Sequence, residues 1–168
     1  MILGMTTATY TLLHVVISLV GIGSGLGVLY GLLLGKRLEG MTAIFLTSTV
    51  LTSVTGFGFP VAHLLPSHKV AIISLVVLAF AILARYAFHL AGAWRKTYVI
   101  TAAMALYLNV FVLVVQLFEK VPALKELAPK QNEPPFVITQ VLVLVIFIGL
   151  TILATVRFRL KEALSQAA

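Results

Sequence analysis

Five long runs of mostly apolar residues dominate this chain, approximately Tyr10 to Gly35, Met41 to Leu64, Val70 to Ala91, Thr97 to Phe118 and Phe136 to Val156. A hydrocarbon layer of ~30 Å takes about 20 apolar residues per helix, so each run is long enough to cross it. Outside them lie short connections and one longer loop, Glu119 to Pro135, with no room for a separate soluble domain. Barrel strands of about ten residues with alternating polarity do not produce continuous apolar runs of this length. With 61% hydrophobic and 10% charged residues, the chain also lacks the polar surface that a water-soluble fold needs. The expected architecture is all-α, an integral membrane bundle of five transmembrane helices forming a single domain over residues 1–168.

Basic residues set the expected orientation. Lys36, Arg37, Arg95, Lys96, Arg157, Arg159 and Lys161 fall on one side; Lys69, Lys120, Lys125 and Lys130 fall on the other, and Arg85 lies within a span. The side with seven cations reads as inside, which places the N-terminus outside and the C-terminus inside. The net charge of +7 is then a topology signal and a contact to anionic headgroups, with no nucleic-acid partner implied. No basic segment precedes the first span, so it is not expected to be a cleaved signal peptide.

The acidic residues are Glu39, Glu119, Glu126, Glu133 and Glu162, with no aspartate and no cysteine. Thiolate catalysis, disulfide exchange and cysteine-ligated metal centres are thereby excluded. No carboxylate falls inside a span, which demotes ion-coupled transport, since such carriers commonly use one.

Span one carries Gly23, Gly27, Gly31 and Gly35 at four-residue spacing, beside a second row of Gly21 and Gly25. Small residues at this spacing let helix backbones approach closely in lipid, so the first row is expected to pack on neighbouring spans or on a second subunit. The run from Gly21 to Gly27 does not fit a nucleotide-binding glycine loop and has no preceding strand.

Span two holds Thr42, Thr47, Ser48, Thr49, Thr52, Ser53 and Thr55 on adjacent faces. Such a helix is expected inside the bundle, its hydroxyls bonding backbone carbonyls or neighbouring helices. Gly56, Gly58 and Pro60 loosen its outer end, as a kink or as part of a binding site. On span four, Tyr98, Ala102, Ala105, Asn109 and Gln116 form a stripe of small and polar residues. Asn109 near mid-membrane is expected to glue helices together, and Gln116 to lie at a depth similar to Gln140 on span five, so that the two amides are in position to meet across the outer half of the bundle.

Three histidines thread to the outer face: His14 one turn into span one, His63 closing span two and His68 opening span three. Imidazoles at matched depth on different helices are what a bis-histidine haem or a metal ion requires. A quinone headgroup would use the same imidazoles with Asn109, Gln116 and Gln140 as amide donors. The alternative is three amphipathic interfacial side chains with wet tips. Arg85 and His89, spaced i, i+4 toward the inner end of span three, are expected to contact lipid phosphate or another anion, because no span supplies Arg85 with an acidic partner. In the outer loop, Pro122 is expected to start a short helix through Leu127, and Pro134-Pro135 sets up entry to span five.

Three stretches carry a resemblance: Thr55-Gly56-Phe57-Gly58-Phe59-Pro60 with Pro66-Ser67-His68; Ala105-Leu106-Tyr107-Leu108-Asn109; and the loop from Pro122 through Lys125 to Glu133-Pro134-Pro135. They resemble a group of small bacterial multi-span inner-membrane proteins with no assigned activity. The resemblance implies a bacterial cytoplasmic membrane and no functional residues.

Three functions are compatible with this reading. One is a small membrane subunit or binding protein with an outward-facing site around His14, His63 and His68 for haem b, another metal or quinone. Another is a non-redox channel or carrier lined by Asn109 and the span-two hydroxyls. The third is a structural subunit of a homo-oligomer or larger membrane complex. None of them requires the chain to be an enzyme.

Overall fold

The computed structural model describes residue 2 and residues 4–59 and 66–166, with side chains of the second stretch described over 68–158. Six helices follow in chain order among these residues: α1 (Thr7–Leu33), α2 (Glu39–Gly56), α3 (Pro66–Ile82, continued by a π-helical turn over Leu83–Ala87), α4 (Ala93–Lys120), α5 (Pro122–Leu127) and α6 (Pro134–Gln166). The described residues form no strand beyond an isolated bridge between Ile2 and Met5.

Four of these helices, α1, α3, α4 and α6, are long and apolar enough to cross a membrane. α2 is not among them, unlike the span expected over 41–64. It is 18 residues long, ends at Gly56, and its Glu39 and seven hydroxyl residues offset its apolar ones. His63 and Pro60 lie outside the described residues. Large apolar side chains face outward along the long helices, among them Leu12, Leu19 and Leu26 on α1, Ile72, Ile73 and Val76 on α3, and Ile138, Val145 and Ile152 on α6. An apolar coat over an apolar core suits lipid and not water.

α4 is the centre of the bundle, packing on α1, α3 and α6, while α2 lies between α1 and α3. The core fills from Leu29, Leu32, Phe45, Leu78, Val99, Leu106 and Phe158. The second glycine row lets α1 approach both α2 and α4 closely. A Cβ on Gly25 would lie 2.7 Å from Leu106 and 2.8 Å from the Phe45 ring, and one on Gly21 would lie 3.2 Å from both Ser48 and Thr49. The expected four-glycine stripe divides. Gly27 and Gly31 receive Met41 and Leu38 at the start of α2, but nothing lies within 4 Å of Gly23.

Gly35 is not in the helix at all. With φ +65° it terminates α1: its N–H bonds the Leu32 carbonyl (3.0 Å) and the Lys36 N–H bonds the Gly31 carbonyl (2.8 Å), a Schellman ending that needs a residue free to adopt the left-handed conformation. The stripe therefore splits by helix face and helix end.

The loop between α4 and α6 folds back on the bundle. Phe118 meets Phe136 edge-on at 5.3 Å, and Gln131 donates to the Val115 carbonyl at 2.9 Å. The short helix expected from Pro122 through Leu127 is present. Just before α6, desolvation raises the Glu133 pKa, but the backbone N–H groups of Glu133, Lys130 and Asn132 and the Lys130 charge together outweigh it and hold the carboxyl below its usual value.

Gly25→Val is expected to destabilise the bundle by about 1–3 kcal/mol, the usual cost of overpacking, while Gly23→Ala is neutral or slightly stabilising. Reversible unfolding of both variants in mixed micelles measures the difference.

Candidate functional site

Polar side chains gather at three levels of the bundle, and one groove opens on its side. At the first level, where α1 begins and α2 ends, Tyr10 and His14 stand one turn apart on α1. The Tyr10 hydroxyl donates to the Thr55 carbonyl at 2.7 Å, which helps to satisfy a C-terminal carbonyl of α2. His14 Nδ1 lies 2.8 Å from Thr55 Oγ1, and that hydroxyl's own proton goes to the Leu51 carbonyl at 2.7 Å. With the proton so placed, His14 Nδ1 is the donor of that bond, and in the neutral ring Nε2 keeps its lone pair. Phe59 sets its ring edge-to-face with both Tyr10 (5.1 Å) and His14 (5.3 Å). His68 is buried and stacks on Phe57, 5.4 Å away and 18° from parallel. His14 and His68 thus engage different aromatic partners. Among the described residues, no three of His, Cys, Asp and Glu come together to hold a metal ion.

At mid-depth, Asn109 Nδ2 donates to Thr49 Oγ1 at 3.2 Å, beside Gly21 and Ser48. Ser48 donates to the Ile44 carbonyl at 2.6 Å. Ser53 donates to the Thr49 carbonyl (3.0 Å) and lies 3.2 Å from Ser74 on α3. These hydroxyls bond their own helix and its neighbours, as expected of an internal helix. The two glutamines do not pair. Gln116 donates to Glu119 Oε2 at 3.4 Å on the surface, and Gln140 donates to the Phe111 carbonyl at 3.2 Å.

The third level, at the Lys/Arg-rich end, corrects the reading of Arg85. Its Nη2 lies 2.6 Å from Glu39 Oε2, with the arginine side chain 4% exposed and the glutamate 70%. The guanidinium carbon sits 5.2 Å from the centre of the Tyr98 ring, in cation–π range, and the Tyr98 hydroxyl donates to Thr42 at 3.4 Å. Arg85 therefore joins the starts of α2 and α4 to the end of α3. It does not reach for lipid phosphate, because Glu39, outside the apolar run of α2, supplies the negative charge. Nor does His89 share a helical face with it. Helix α3 ends in the π turn, where the Phe88 N–H bonds the Leu83 carbonyl (2.9 Å), and His89 follows with φ +48°.

The groove lies between α4 and α6 and holds about 530 Å³. Ile100, Met104 and Tyr107 form one wall, Leu144, Ile148 and Ile152 the other, with buried Ala103 at its base and Lys96 at one end. Thr151 and Thr155 also line it, but their hydroxyls donate to the carbonyls of Phe147 (2.6 Å) and Thr151 (2.7 Å). The surface offered is apolar. Sequence reasoning missed this groove because it followed the adjacent face of α4, through Tyr98, Ala102, Ala105 and Asn109. The spacing of Lys96, Ile100, Ala103 and Tyr107 marks the groove face, but whether two such faces part or touch depends on the packing of α6. No protein-family model, curated protein or solved structure matches the chain.

Glu39→Gln is expected to cost about 1–2 kcal/mol, between an exposed and a buried pair, because Arg85 is buried while Glu39 is 70% exposed. Arg85→Met combined with Glu39→Gln recovers most of that loss, since no charge is then left buried. Unfolding free energies of the two single variants and the double variant complete the cycle.

Proposed function

We propose that the chain is a small five-span protein of a bacterial cytoplasmic membrane, with its N-terminus outside and C-terminus inside, that works by binding and not by catalysis. Its ligand is an apolar, chain-bearing molecule held in the groove between α4 and α6. The observation that carries this reading is a sideways-opening apolar groove on a bundle whose interhelical polar contacts are turned inward on one another.

The depth of α2 supports five spans. Its first turn meets Arg85 at one end of the bundle and its last turn meets Tyr10 and His14 at the other. Its 18 residues extend ~27 Å at 1.5 Å per residue, close to the ~30 Å of a hydrocarbon layer. Its Thr42, Thr49, Ser53 and Thr55 hydroxyls can cross because α1, α3 and α4 supply them with partners. The basic residues in the α1–α2 connection, Lys36 and Arg37, and in the first turn of α4, Arg95 and Lys96, support the inside assignment for that end.

The hydrogen bonds of Asn109 with Thr49 and of Ser53 with Ser74 favour binding over conduction, since they close helix on helix instead of lining a path. A second reading keeps a site at the outer end, resting on the Nε2 lone pair of His14, which suits a haem or metal ligand or an acceptor for a quinol hydroxyl.

Mass spectrometry of organic extracts from the protein purified in mild detergent is expected to find a retained lipid or isoprenoid, depleted in Ile148→Trp, which fills the groove from its exposed wall. Equal retention in the variant overturns the groove reading. Solute flux in proteoliposomes would instead make the protein a carrier or channel, and a Soret band sharpening with dithionite would move the site to His14.

A further inference from the structure

The shape and charge of the groove identify its ligand more closely, on the premise that the groove between α4 and α6 is the binding site. Along α4 it runs from Lys96 to Tyr107, and along α6 from Val156 to Leu144. These stretches of eleven and twelve residue steps span ~17–18 Å at 1.5 Å per residue, a little more than half of a ~30 Å hydrocarbon layer. The groove is thus one leaflet deep. A transmembrane helix from a partner or a second copy needs a seat over the whole ~30 Å, so its depth matches a lipid chain better than a helix.

The two ends of the groove differ. Toward mid-bilayer it closes on Tyr107, Leu144 and Phe147, with the Tyr107 and Phe147 rings 5.7 Å apart. At the interface it meets the exposed ammonium of Lys96, and exposed Arg157 follows Val156 on α6. An acyl chain lying along the apolar walls would bring its headgroup to these cations, where a phosphate gains attraction that a neutral headgroup does not. Zwitterionic lipids carry a phosphate too, but their positive group offsets it.

We propose that the groove is a site for one anionic phospholipid of the leaflet at the Lys/Arg-rich end, its acyl chain between α4 and α6 and its phosphate on Lys96. Lys96 gives the preference for negative charge, and the walls hold the chain whatever the headgroup.

The test uses the full chain in proteoliposomes containing phosphatidylglycerol or phosphatidylcholine with a diazirine near the end of one acyl chain, and adducts are mapped by mass spectrometry. The expected result is several-fold more labelling of Met104, Leu144 and Ile148 by the phosphatidylglycerol probe than by the phosphatidylcholine probe. Lys96→Gln should remove that preference, Lys96→Arg should keep it, and adding Arg157→Gln to Lys96→Gln covers a cation that substitutes for the first. Equal labelling by both probes in the unaltered protein, or a preference that survives the double substitution, overturns the anionic assignment while leaving the groove as a chain site. Labelling no higher than on the exposed α3 residues Ile72, Ile73 and Val76 overturns the groove reading itself. Groove residues shielded by a crosslinkable second copy would replace the lipid with an oligomer interface.

Discussion

Inside a hydrocarbon layer a hydroxyl, amide or guanidinium has no water to bond, so it is costly unless it finds a partner on a neighbouring helix or on its own backbone; Thr52 Oγ1 is a buried exception on α2. The arrangement of α1, α2 and α4 follows from this requirement. α2 carries more hydroxyls than lipid contact would tolerate, and it lies where α1, α3 and α4 receive them: Thr49 by Asn109, Ser53 beside Ser74, Thr55 by His14, and Thr42 by Tyr98. The interhelical bonds are individually modest, typically about 0.6 kcal/mol each in membrane bundles. Their distribution along the whole length of α2 orients that helix more than any single one stabilises it.

Close approach makes these bonds possible. Gly21 and Gly25 leave room for Thr49, Ser48 and Phe45 of α2 and for Leu106 of α4, and each site would be crowded by one added methyl group. At the basic end the Arg85–Glu39 pair ties α2 to α3, and the Tyr98 ring brings in α4. The polar interactions and glycine contacts serve one junction of α1, α2, α3 and α4. α6 stands apart from this junction. It touches α4 and α1 through a few large residues, including Phe147 and Phe158, and it leaves the groove beside Ala103 open.

That division has a functional counterpart in the proposed binding role. The tightly packed part of the molecule is suited to hold its own shape, and the peripheral, more exposed α6 forms one wall of the groove. A histidine cofactor centre would reverse this assignment, placing function at the end where Tyr10, His14, Phe59 and Thr55 already satisfy one another.

Much of the fold was legible in the sequence because lipid imposes a length and polarity rule on each helix separately. The apolar runs, the internal position of the hydroxyl-rich helix and the short helix at Pro122 all depend on local composition. The second glycine row was visible but not distinguishable from the first, since both have four-residue spacing and only the packed bundle reveals which face meets a neighbour. Gly35 differs for a local reason: it lies past the helix end, where positive φ is needed. The partner of Arg85 was not legible, because Glu39 lies 46 positions away and outside the apolar run. The pairing of Gln116 with Gln140 failed for a related reason, since equal depth does not set the direction in which two helices face. The amino-acid sequence by itself determined a helical, lipid-suited chain and the depth of its polar residues. Tertiary packing decided which of those residues meet, and whether two apolar helix faces close or leave a groove, because both depend on the rotation and separation of helices that no local pattern encodes.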